Sequence, residues 1–259
     1  MGVVNVTPDS FSDGGQFLDP RAAIAHARQL VDEGADILDI GGESTRPGSL
    51  PVDETEELRR VLPVLEGIVG LGVPVSVDTT KPGVMRAAIA HGAAMVNDIL
   101  ALQTAGALDA VASSNAGVCL MHMQGEPRTM QANPSYADVV GEVRTFLGER
   151  VAACESAGIS RERIVVDPGF GFGKTAEQNL ALLRGLPELA ALDVPVLAGL
   201  SRKSTLGQIT GRPVEGRLAA SLAAALLAAQ RGARIVRVHD VAATRDVLAV
   251  LAAVDRIED

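Results

Sequence analysis

The sequence predicts an α/β protein folded as a single closed (β/α)8 barrel, the TIM-barrel class, over residues 1–259. Two observations carry this expectation. Short β-branched runs alternate with longer Ala- and Leu-rich stretches of helical period, as strands do when helices return the chain to a parallel sheet. Eight such alternations fit within 259 residues, the size of one barrel. A doubly wound open sheet would usually carry fewer units, and no G-x-G-x-x-G follows the first strand here.

In chain order, the strand-like runs are 2–6, 37–40, 75–78, 95–97, 118–121, 164–167, 196–199 and 234–238. Helical stretches follow at 20–33, 53–69, 82–91, 104–113, 138–157, 176–190, 203–230 and 240–256. Pro20 and Pro82 stand where the first and third helices begin, and the ring presets φ for a first helical residue. Gly34, Gly92, Gly158 and Gly232 stand where the first, third, fifth and seventh helices end. The stretch 216–230 (GRLAASLAAALLAAQ) is apolar around most of its circumference, so it is either buried within the fold or part of a subunit contact. A homodimer is the expectation.

Hydrophobic residues make up 47% of the chain, enough for a sizeable core. A formal charge of −9 repels nucleic acid and anionic membranes, so any anion site must be a local basic focus. No basic n-region, apolar h-region or long apolar span is present, which predicts a cytoplasmic protein. Cys119 lies in a strand-like run and Cys154 in a helical one, which predicts structural thiols. Phe11, Phe170 and Phe172 fall in loops, where each ring either stacks on a ligand or anchors its loop.

Strand-like runs end in polar residues: Asn5, Asp39, Asp78, Asn97, Asp167 and Arg237, with His122 and His239 just beyond two of them. In a barrel these ends share the mouth where catalytic groups gather. The set has no H-E-x-x-H, no C-x-x-C and no His pair at ligand spacing, which argues against zinc hydrolysis. Carboxylates facing carboxamides suit a heterocycle edge or a hard cation such as Mg2+. Arg46, Arg202, Lys203 and Arg237 are expected at the same mouth, as a site for phosphate or pyrophosphate.

The run GFGKT at 171–175 looks like the end of a nucleotide-binding P-loop, but Pro168 occupies the position of the motif's first Gly. Gly169, Gly171 and Gly173 instead let the backbone approach a flat ligand. Ser201-Arg202-Lys203-Ser204-Thr205 opens a helix after a strand, as either an anion receptor or a plain Ser cap.

Together these residues resemble the dihydropteroate synthase family over essentially the whole chain. The resemblance rests on NVTPDSFSDGG at 5–15, GGESTRPG at 41–48, SVDT at 76–79, Asn97-Asp98, DPGFGFGK at 167–174, SRKS at 201–204 and RVH at 237–239. It implies condensation of a dihydropterin methyl pyrophosphate with 4-aminobenzoate, aided by Mg2+, and small-molecule substrates only. Asp78, Asn97, Ile99, Met121, Asp167, Phe172, Gly199 and Lys203 then match the pterin pocket. Asn5, Thr45, Arg46, Arg237 and His239 match the pyrophosphate site, with Asn5 also the metal ligand. Phe11, Asp13, Pro47 and Ser204 match the aminobenzoate site, and Asp9, Asp13, Arg46 and Lys203 the catalytic set.

Two departures accompany the resemblance. The family usually has a short N-terminal hairpin before the first strand, whereas Met1 here begins at that strand, and Leu100 stands where relatives often carry a polar residue. A methyltetrahydrofolate-binding methyltransferase barrel is a rival reading, but it has no need of the STRP and SRKS anion segments. A catalytically silent pterin-binding paralogue is another, and the intact Asp9, Phe11, Asp13, Thr45 and Arg46 argue against it.

Overall fold

A computed structural model describes residues 1–6, 20–44 and 49–256 of the protein. Eight parallel strands follow one another in sheet order: β1 Gly2–Asn5, β2 Leu38–Gly41, β3 Val75–Asp78, β4 Met95–Asp98, β5 Gly117–Met121, β6 Ile164–Asp167, β7 Val196–Ala198 and β8 Ala233–Val236. The sheet closes on itself. Val3 N donates to Val238 O at 3.1 Å, and Val238 N donates to Met1 O at 2.9 Å, joining the last strand to the first.

Helices α1 Pro20–Asp32, α2 Glu54–Ile68, α3 Pro82–Ala90, α4 Ala107–Ala112 and α5 Val139–Ser156 follow the first five strands. Each return needs a start signal. Asp53 caps α2 by accepting from Glu56 N at 2.8 Å, and α3 opens on Pro82, whose missing N–H costs nothing in a first turn. In α1 the buried residues Ala23, Ala27 and Leu30 recur at helical spacing, giving one face to the sheet.

Two expected helices are each broken in two. The stretch 176–190 divides into α6 Ala176–Arg184 and α7 Leu186–Ala190, because Gly185 ends the first and Pro187 can sit only in the opening turn of the next. The stretch 203–230 divides into α8 Ser204–Thr210 and α9 Leu218–Gln230, because Gly211 takes φ +69° and Pro213 follows it. The final helix is α10 Val241–Val254.

Period-2 alternation places the strand residues on two sides. Outward Val, Ile and Leu pack under the helices, while Met1, Met95, Cys119 and Leu197 fill the barrel interior against Ile37, Val165 and Ile235. Both cysteines are buried free thiols held well up in pKa by burial, which suits packing rather than chemistry. The next inward residue along the strands is the polar one: Asp78 on β3, Asn97 on β4 and Asp167 on β6. The same alternation that builds the core therefore delivers the mouth.

Candidate active site

Asp39 lies one layer lower than a strand end. β2 continues to Gly41, so Asp39 sits inside the barrel with no exposure and organises the residues above it. Arg237 Nε donates to Asp39 Oδ2 at 2.6 Å, and Asn97 Nδ2 donates to the same oxygen at 3.2 Å. Arg237 Nη2 also donates to Asp78 Oδ2 at 3.2 Å. One buried carboxylate thus aligns a guanidinium and a carboxamide, and the guanidinium reaches on to Asp78. Burial first, and the Asp39 charge second, push the Asp78 carboxyl well above its ordinary value, although Arg237 opposes them.

Across the mouth Asp167 ends β6 and accepts from Gly169 N at 2.7 Å. Burial raises its pKa, against the pull of the Lys203 charge. Gly199 borders this meeting: a Cβ there would lie in ordinary contact, 4.0 Å from Asp167 Oδ2 and 3.9 Å from both Lys203 Nζ and Arg237 Cβ. Lys203 itself donates to Phe170 O and stands 4.7 Å over the Phe172 ring. Burial lowers its pKa to about 8, with Asp167 resisting. Met121 and Ile99 are buried at the ends of β5 and β4 and supply apolar contact.

The two loop rings accordingly differ. Phe170 is 1% exposed and packs in the core, while Phe172 is half-buried beside the ammonium. Asn5 ends β1 next to Gly41, half-buried at the rim. Beyond β8, the His239 amide donates to Ser201 Oγ at 3.2 Å, and the same oxygen lies 3.0 Å from His239 Nδ1. One hydroxyl, with one donor and two acceptor positions, thus bonds both the His239 amide and Nδ1, and so orients the ring and leaves Nε2 as its other polar atom.

Other expected residues lie apart. Arg202 does not reach the mouth: its guanidinium pairs with Asp240, Nε donating to Oδ2 at 3.0 Å. Ser204 opens α8 but is exposed and stands outside the buried cluster. Asp9, Phe11, Asp13, Thr45, Arg46 and Pro47 lie outside the described residues. Asp98 faces away from recognition, because its carboxylate accepts from Leu100 N and Leu102 N, both at 2.8 Å. Those bonds hold Ala101 and Leu102 at positive φ of 52° and 56°, and they give the unusual Leu100 a backbone role.

Two clusters escape a reading of strand ends. Lys174 donates to His122 from beneath the Gly-rich loop, and Lys81 bridges Glu43 and Glu57 at the root of the β2–α2 connection. Glu57 sits in an acidic helix start that looks like ordinary capping, so only the fold shows that it is fully buried. Among the described residues no group of three or more His, Cys, Asp or Glu could hold a metal ion. Asn5 offers one carboxamide oxygen at the rim, which fits Mg2+ bound mainly through substrate phosphate and water.

The family model described as pterin binding enzyme matches residues 1–239. Dihydropteroate synthase from Neisseria meningitidis serogroup B is 54% identical over 257 residues, covering 96% of this chain and 90% of the relative. The Xanthomonas albilineans dihydropteroate synthase structure with 4-aminobenzoic acid superposes with a TM-score of 0.94 at 58% identity, over 99% of this chain and 93% of that one. The same enzyme in complex with 7,8-dihydropteroate gives 0.91 at 56% identity, over 99% and 93%. With a barrel of the same shape and more than half of the residues shared, the chain belongs to the dihydropteroate synthase family of pterin binding enzymes.

Proposed function

We propose that residues 1–259 work as one domain that condenses 6-hydroxymethyl-7,8-dihydropterin pyrophosphate with 4-aminobenzoate, giving 7,8-dihydropteroate and pyrophosphate in folate biosynthesis. The observation that carries this reading is the polar cluster of Asp78, Asn97, Asp167, Lys203 and Arg237 at one barrel mouth, organised by Asp39. Carboxylates accept from the exocyclic amine and ring N–H of an aminopyrimidinone, and a carboxamide both donates and accepts. Phe172 and Met121 supply apolar faces to a flat ring.

Asn5, Arg237 and His239 stand along one side of the mouth, and we assign them with Thr45 and Arg46 to the pyrophosphate. Mg2+, held by Asn5 and substrate phosphate, would neutralise charge on the leaving group. The bond from the pterin methylene to the pyrophosphate oxygen breaks and its electron pair leaves with pyrophosphate. The arylamine lone pair forms the new C–N bond, and the amine proton is released. Arg237 and the His239 ring stabilise the departing anion, so electrostatics carry the rate. Asp9, Asp13, Arg46 and Lys203 are assigned to the reacting end; Phe11, Asp13, Pro47 and Ser204 to 4-aminobenzoate.

A second copy of the chain is assigned to α9 and α10. On α9 the small residues Ala224, Ala225 and Ala228 turn inward, while Leu218 and Leu227 are exposed, as are Val250 and Val254 on α10. None of the described helices is long and apolar enough to cross a membrane, and we assign the protein to the cytoplasm. Incubating the protein with both substrates and Mg2+, and following 7,8-dihydropteroate by chromatography, tests the activity. Its absence with folded protein would overturn the reading.

A further inference from the structure

The connection from β6 to α6 is pegged from below by a single lysine. Lys174 is 2% exposed, and its Nζ lies 3.0 Å from Gly169 O, 2.9 Å from Phe172 O, 3.3 Å from His122 O and 3.0 Å from His122 Nδ1. The three donors of an ammonium are shared here among these four acceptors, against burial, which lowers the Lys174 pKa to about 7. Burial and the nearby Lys174 charge hold the His122 pKa down to about 3, so its neutral Nδ1 accepts. Although GFGK resembles a phosphate-binding loop in sequence, this ammonium points into the protein and cannot meet a phosphate.

What the peg holds is the pterin wall. Gly169 N fixes Asp167, Phe170 O receives Lys203, and Phe172 carries the ring under that ammonium. The loop cannot shift cheaply, since a Cβ at Gly169 would run into His122 O and one at Gly173 into Gln124 O. Asn179 adds a second tie by accepting from Gly171 N at 2.7 Å and donating to Thr205 Oγ1 at 3.1 Å.

Resting on the pterin reading above, we propose that Lys174 is a positioning residue for pterin recognition, setting Phe172, Asp167 and Lys203 through the loop backbone without touching the ligand. Such pre-organisation lowers the ordering cost of the first substrate only. Lys174→Met should weaken binding of pterin-6-carboxylate in calorimetry by about tenfold or more, and raise KM for the pterin pyrophosphate similarly, while KM for 4-aminobenzoate at saturating pterin stays within about twofold. Because Lys174→Met leaves His122 Nδ1 and the carbonyls of His122 and Phe172 without the lysine donor, while Gly169 O keeps Phe172 N, His122→Phe with Lys174→Met serves as the second variant. Unchanged pterin affinity in whichever variant folds, or an equal rise in both KM values, would overturn the proposal. Failure of both variants to fold would also overturn it, by assigning Lys174 to the core alone. If the wild-type protein itself binds no pterin, the site reading falls instead.

Discussion

Asp39 and Arg237, 198 residues apart in sequence, are joined by a 2.6 Å hydrogen bond from Nε to Oδ2 inside the barrel. The carboxylate is fully buried and the guanidinium about a quarter exposed. Removing the carboxylate leaves the Arg237 guanidinium in a low-dielectric interior with only its longer 3.2 Å bond to Asp78, and also releases Asn97. Asp39→Ala should therefore lower unfolding stability by about 3–5 kcal/mol, read from urea denaturation. Pterin affinity should fall as well. A loss no larger than that of a surface substitution would show that Asp78 alone satisfies Arg237.

Asp78→Asn and Asp167→Asn should each weaken pterin binding by about 1–3 kcal/mol, since a ring donor then faces an amide and is badly paired. Calorimetry with a pterin analogue measures this directly. Unchanged affinity in both variants would place the pterin elsewhere.

The Lys203 ammonium, whose pKa burial lowers to about 8, should give kcat/KM for the pterin substrate an alkaline limb. Charge is present below that value and lost as pH rises through it, so activity falls on the alkaline side. The stability sign is opposite: the folded pKa is depressed below 10.5, so the unfolded chain binds more protons between these values and this group's contribution grows with pH. Lys203→Arg should move the limb upward in a pH–rate profile. A limb that stays in place belongs to another group.

Ser201→Ala removes the hydroxyl that bonds both the His239 amide and Nδ1 and frees the ring to reorient. Pyrophosphate should then inhibit less well, by roughly 1 kcal/mol or severalfold in its inhibition constant, with pterin binding unaltered. Equal inhibition of the two proteins would remove His239 from the anion site.

Light scattering at micromolar concentration should give the mass of a dimer, and Leu218→Glu with Leu227→Glu on α9 should give a monomer. A wild-type monomer would leave those leucines as solvent-facing residues. Within the fold, Ser221, Ala224, Ala225 and Ala228 bury one face of the 216–230 stretch, and the mass measurement decides whether a second copy covers the other.

The barrel was legible because β-branched runs and helical stretches alternate without interruption, and the mouth because Asp78 and Asp167 close their strands and Asn97 stands one residue short of the end of its own. Helix breaks at Gly185 and Gly211 were harder to see, since both neighbours keep helical period and only the turn between them changes. Asp39 reads as a strand end because Gly41, two residues on, carries no side chain to mark the true rim. Arg202 looks equivalent to Lys203, yet it occupies φ +59° and its guanidinium turns out to Asp240. Lys174 stayed hidden because its partners are three carbonyls and His122, contacts made by the folded loop and written in no spacing.

The most direct measurement follows pyrophosphate and 7,8-dihydropteroate together, in wild-type protein and in Asp167→Asn, with dihydropterin pyrophosphate and Mg2+ present and 4-aminobenzoate supplied or withheld. The account predicts that dihydropteroate accumulates one for one with pyrophosphate when 4-aminobenzoate is supplied, and that Asp167→Asn slows both products alike. Pyrophosphate released at the same rate with or without 4-aminobenzoate, and no dihydropteroate formed, would contradict it.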